Sequence, residues 1–183
     1  MQCRPASQRA CGPYRPAGGR AVHTGVCAGC ARPGLTQDTH DPATPEFQAY
    51  PPHCLRGTPE SEAVDALKAL PFYDEVAIFP KNSINSHLGT GLGVMGRKVH
   101  PLVNTFIVVG DCSDLCTYQA AMQLRLEANA GNLARRVINP AAAVDTFDTP
   151  VSVARDLGIY AHDGDLHYAL FLHHIWLRTA SKL

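Results

Sequence analysis

The chain has 183 residues, and its 16 basic and 16 acidic side chains balance to a formal charge of zero. Its composition is 45% apolar and 17% charged, enough for one well-cored domain and without the basic field that nucleic acid requires. No apolar run reaches the ~18 residues of a membrane span and no basic-then-apolar leader opens the sequence, so it reads as cytoplasmic, with neither nucleic acid nor membrane as a partner.

The residues fall into two textures. Residues 1–37 hold five arginines, no acid and four of the seven cysteines. An odd cysteine count without a leader argues against a disulfide framework. The Pro- and Gly-rich stretch 1–34 has no periodicity and is expected to be disordered or non-native. "CAGC" (27–30) could be half of a zinc or redox site, but no second pair accompanies it.

From Leu35 onward the pattern predicts an α/β domain, residues 35–183. "PESEAVDALKAL" (59–70) carries Pro and acids at its start and reads as a helix. "EVAIFP" (75–80) and "NTFIVVG" (104–110) read as buried strands. Helix follows over 115–130, strand over 134–140, helix over 149–158 ending at Gly158, and a long helix over 165–180. This alternation implies a three-layer α/β/α sandwich, with the strands at 75–79, 104–109 and 134–138 parallel and adjacent. Active sites in such folds form beyond the carboxyl ends of the strands, here "PKNSIN", "GDCSDLC" and "NPAAAVDTFD".

Cys116 falls in the first turn of helix 115–130, with Ser113 or Asp114 as the expected cap. Unpaired N–H groups and the helix dipole favour a thiolate there, and the same N–H groups can hold an oxyanion. The competing reading makes Cys112 and Cys116 small buried hydrophobes. In "QDTHDPATPEFQAYPPHC", Asp38, His40, Glu46 and His53 supply two imidazoles and two carboxylates, a set suited to Zn²⁺ or, less exclusively, Fe²⁺ or Mn²⁺. Asp41 is expected to turn the loop instead. His162, His167, His173 and His174 read as surface or core histidines, and "GTGLGVMG" (89–96) as a mobile loop.

Gly110, Ser113, Asp114 and Cys116, after an apolar strand and before a helix, resemble the nucleophile signature of the isochorismatase-like cysteine hydrolases, the superfamily that contains nicotinamidases. The resemblance covers residues 35–183 and implies a Rossmann-like parallel sheet. It implies Cys116 as nucleophile, Lys81 in "IFPKNS" as catalytic lysine, and a cis peptide at Asp111–Cys112. The N–H groups of Cys112 and Cys116 would form the oxyanion hole. The Asp38, His40, Glu46 and His53 set is similar to the nicotinamidase metal site. The implied reaction is deamidation of nicotinamide to nicotinate and ammonia through a thioester, a step of NAD salvage. Another small amide, or a non-catalytic protein that binds metal and ligand, are the alternatives, and a homo-oligomer is left open. The family's first strand ends in a catalytic Asp, and no acid precedes Asp38. The first strand therefore reads as missing, and activity is expected to be impaired.

Overall fold

The computed structural model describes residues 33–92 and 103–179. These belong to two compact units, residues 33–92 to the first and 103–179 to the second. The "CAGC" segment, and the part of the glycine-rich loop beyond Leu92, lie outside the described residues.

The first unit is built on two parallel strands, β1 (Gly34–Asp38) and β2 (Ala77–Lys81), in register from Gly34 opposite Ala77 to Asp38 opposite Lys81. Burial alternates along β2. Phe79 and Lys81 point inward, while Ile78 and Pro80 do not. β1 begins one residue before the expected domain start, and its strand character was not anticipated. Leu35 is its one large apolar residue, so it offers too little alternation to be read. The helix expected over 59–70 is a correction. It breaks into a 3₁₀ turn, Pro59–Ser61, and a single turn α1, Asp65–Lys68. Glu62 and Val64 between them are extended, with ψ of 156° and 149°, and Ser61 turns its hydroxyl back to the carbonyl of Thr58 at 2.8 Å. A serine bonding its own local backbone competes with helix propagation.

In the second unit, β3 (Thr105–Ile107) pairs in parallel with β5 (Arg136–Ile138), and β4 (Gly110–Asp111) with β6 (Val144–Asp145). The expected 104–110 strand is thus divided, with Gly110 at φ 117° where the chain redirects, a conformation that favours glycine. The parallel pairing expected between 104–109 and 134–138 is that of β3 with β5. Three helices complete the unit: α2 (Cys116–Ala130) between β4 and β5, then α3 (Val151–Leu157, closed by Gly158 at φ 66°) and α4 (Gly164–Thr179) after β6.

Thr117, Ala121 and Ala128 form the buried stripe of α2, at the spacing of one helical face. Ala121 joins Val137 and Ile175 in the core, with Val108, Tyr118, Leu124 and Leu172 packed around them. Helices α2 and α4 therefore rest on β5 and on each other. No helix among the described residues is long and apolar enough to cross a membrane.

Candidate active site

Two groups of predicted residues are described separately, one in each unit. In the first unit they gather where β1 and β2 end. The ladder sets Asp38 opposite Lys81, and the lysine ammonium donates to Asp38 Oδ1. Lys81 is 3% exposed, so its ammonium is withdrawn from solvent. A buried ammonium is tolerated because a carboxylate faces it, and the Ser83 carbonyl accepts a second bond at 3.3 Å.

His40 is completely buried, yet neither ring nitrogen makes a hydrogen bond. Its Nε2 lies 3.4 Å from Asp38 Oδ1, and its ring meets those of His53 and Phe47 edge-on, at 4.7 and 5.5 Å between centroids. His53 Nδ1 is 2.8 Å from the Pro51 carbonyl. A carbonyl can only accept, so Nδ1 carries the hydrogen and Nε2 keeps its lone pair. A buried imidazole without hydrogen-bond partners, a second imidazole and a nearby carboxylate are donors of the kinds a divalent metal takes.

Glu46 fits less directly. Its Oε2 accepts from the Ile84 N–H at 3.2 Å, and it lines an open cleft with Thr44, Tyr50, Asn82, Ser83 and Ile84. Among the described residues no three His, Cys, Asp or Glu side chains are gathered as metal ligands. Asp41 shapes the loop as expected. It accepts from Arg56 Nε at 2.8 Å and from Asn82 Nδ2 at 3.3 Å, while its own N–H donates to Asn82 Oδ1 at 2.9 Å.

In the second unit, the peptide Asp111–Cys112 is cis, as the resemblance implied. Cys116 is the first residue of α2. The cap differs from expectation: Leu115 holds that position and no side chain caps the helix. Asp114 is drawn away by partners outside the turn, accepting from Thr146 Oγ1 at 2.5 Å and pairing with His162 Nε2 at 2.7 Å. Ser113 Oγ is buried without a partner, and its N–H donates to the Asp145 carbonyl at 2.7 Å. The turn is closed by the Cys112 carbonyl, which accepts from Leu115 and Thr117, each at 3.1 Å.

Burial pushes the Cys112 thiol up to about 12, with the Thr146 hydroxyl acting against that rise. A thiol so disfavoured as thiolate is a poor nucleophile at neutral pH. Asp111 is also raised, to about 6, first by burial and then by the charge of Asp145. His162 was read from sequence as a surface or core histidine. The signal that could have separated it, a carboxylate within reach, comes from a residue 48 positions away.

No family model matches the chain. In sequence it is 35% identical over 151 residues to Nicotinamidase 1 of Arabidopsis thaliana, an alignment covering 78% of this chain and 59% of the relative. The chain thus spans less than two thirds of that relative's length. The sequence similarity is to a nicotinamidase over that shared length. Solved structures agree on the fold. N-carbamoylsarcosine amidase from Thermoplasma acidophilum matches with a TM-score of 0.65 at 18% identity, over 97% of this chain and 84% of its own. The nicotinamidase of Bacillus subtilis matches at 0.58 and 18% identity, over 82% and 72%. An isochorismatase-like hydrolase from Alkaliphilus metalliredigens matches at 0.59 and 16% identity, over 80% and 65%. The α/β fold predicted from the strand and helix pattern, isochorismatase-like by the resemblance, is therefore the fold of this chain.

Proposed function

We propose that this isochorismatase-like chain is a cysteine-dependent hydrolase of small amides, with nicotinamide as its substrate. The observation that carries the reading is Cys116 at the first position of α2, behind a cis peptide, in a chain 35% identical to a nicotinamidase. The Cys116 thiolate attacks the amide carbonyl, a C–S bond forms, and the C–N bond breaks to release ammonia. Water then hydrolyses the thioester to nicotinate and returns the thiol. Backbone N–H groups of Cys112 and Cys116 are proposed to hold the oxyanion. Lys81, buried and paired, is the proposed catalytic lysine.

Asp38, His40 and His53, with Glu46, would hold a Zn²⁺, Fe²⁺ or Mn²⁺ ion, and a bound metal would supply a ligand-binding position for the pyridine nitrogen. The orphaned nitrogens of His40 support this choice. A thiolate nucleophile needs reducing surroundings, so we place the chain in the cytoplasm, in NAD salvage, acting on a small molecule rather than a nucleic acid or a membrane.

Cleaving an amide requires a proton for the departing amine. A second reading is a protein of this fold that binds metal and ligand without turnover. Ammonia release from nicotinamide, by the native chain, by Cys116→Ser and after chelation, separates the two. Release that needs Cys116 supports the hydrolase. Chelator-sensitive nicotinamide binding without release supports the binder. Release unaffected by Cys116→Ser refutes the proposed mechanism.

A further inference from the structure

His162 is tied to the turn that carries Cys116. Its Nε2 lies 2.7 Å from Asp114 Oδ2 and its Nδ1 2.8 Å from the Phe147 carbonyl oxygen. Both neighbours are acceptors, and each ring nitrogen faces one of them. Its placement is fixed from every side. Phe147 and His167 stack on its two faces, at 4.0 and 3.9 Å between centroids. The backbones of His162 and Thr149 exchange hydrogen bonds of 2.7 and 3.0 Å. Asp163, the next residue, caps the start of α4 by accepting from the Leu166 N–H at 3.0 Å. Gly164 is needed there, since a Cβ would stand 2.9 Å from the Phe147 carbonyl oxygen.

The other end of the link is Asp114, two residues before Cys116. Its side chain is 4% exposed. One carboxylate oxygen accepts from Thr146 and the other from His162, so two segments outside the turn hold it by charge-assisted hydrogen bonds. A carboxylate removed from water cannot leave such partners cheaply. The backbone bonds of Ser113, Leu115 and Thr117 close the turn, but Asp114 anchors the side from which α2 starts.

We infer that His162 is a positioning residue for the nucleophile turn: through Asp114 it fixes the first residues of α2 and so the direction and reactivity of the Cys116 thiol. This rests on Cys116 being the reactive thiol. The test is site-resolved alkylation of the full chain by iodoacetamide, read by peptide mass spectrometry, in the native protein, His162→Gln and His162→Asn. Glutamine places its amide nitrogen where Nε2 stands and can keep the bond to Asp114. Asparagine places its nitrogen where Nδ1 stands and keeps the bond to Phe147.

His162→Asn should slow Cys116 labelling about tenfold, on the scale of one charge-assisted hydrogen bond, while His162→Gln keeps most of the native rate at a similar melting temperature. Equal effects of the two variants on Cys116, or none, would overturn the inference. Should His162→Asn fail to fold, Thr146→Val reads the same anchor with His162 in place. Native-rate Cys116 labelling in that variant overturns the inference too. If Cys116 is not preferentially labelled even in the native chain, the nucleophile reading fails instead, and the two failures are told apart.

Discussion

Cys112 offers a quantitative check on the electrostatics of the turn. Its thiol is raised from 9.0 to about 12, chiefly by burial, with Asp111, Cys116 and Asp114 adding to the rise and Thr146 opposing it. Such a change cuts the thiolate population about a thousandfold at pH values well below 9. A more basic thiolate is also a better nucleophile, and a Brønsted slope of ~0.4–0.5 restores about 15- to 30-fold. Alkylation of Cys112 should therefore run about 30- to 60-fold slower than that of a free thiol, before any steric shielding. The perturbation is Cys116→Ala, which leaves Cys112 as the sole thiol of the turn. The assay follows iodoacetamide labelling of the 110–124 peptide by mass spectrometry at about pH 7.5, against an unstructured cysteine peptide. Adding Asp111→Asn should speed the labelling by removing a neighbouring charge, and Thr146→Val should slow it. Labelling of Cys112 at the rate of the free peptide would refute the burial argument, and with it the choice between the two cysteines.

Other outcomes are expected from the same geometry. His53→Ala should lower bound zinc, measured by elemental analysis after loading and dialysis, because the Nε2 lone pair disappears while His40 and Asp38 remain; unchanged metal content would remove His53 from the site. The folded chain holds a proton on Asp111 up to about pH 6 that the unfolded chain releases near pH 4, so stability should fall as pH rises between those values. Melting temperatures of Asp111→Asn should lose that dependence, and an identical pH profile would mean the carboxyl is not raised. Fusing an isochorismatase-like first strand with its terminal Asp ahead of Leu35 should raise nicotinamide turnover by ~10²–10⁴-fold, the usual worth of general acid–base catalysis. Equal rates in both proteins would show that some acid from Asp38 onward already serves.

The elements legible in the sequence were those whose signals are local. Helix 115–130 was placed within a residue of α2 because its apolar period is sustained, and Gly158 marked the end of α3 as a left-handed residue should. Paired strands at 105–107 and 136–138 follow from short β-branched runs bounded by turns. The differences around the site share one cause: side chains that bond across the sequence. Asp114 was expected to cap α2, and its local chemistry allowed it, but Thr146 and His162 offered buried partners. Glu46 accepts from the backbone N–H of Ile84, 38 positions away, a contact that no local pattern announces. Lys81 could be placed at a strand end from the text, whereas its burial depends on β1, a strand too polar to be seen.

The pairing of Asp38 with Lys81 also makes the β1–β2 ladder intolerant of drift. Side chains alternate along a strand, so a slip of one residue would turn Phe79 and Lys81 outward and bring Ile78 and Pro80 into their places. Apolar side chains could partly exchange roles in such a slip, but the ionic partners could not. Lys81 would face Gln37, and Asp38 would lie beyond the end of β2. The two charges thus act as a vernier on the strands. The loops over residues 41–76 can lengthen or shorten without disturbing it, because both marks lie on the strands themselves. One residue inserted within β1 or β2 would misalign it at once. Sequence change in this unit should therefore be channelled into the connection, leaving the short ladder to keep time.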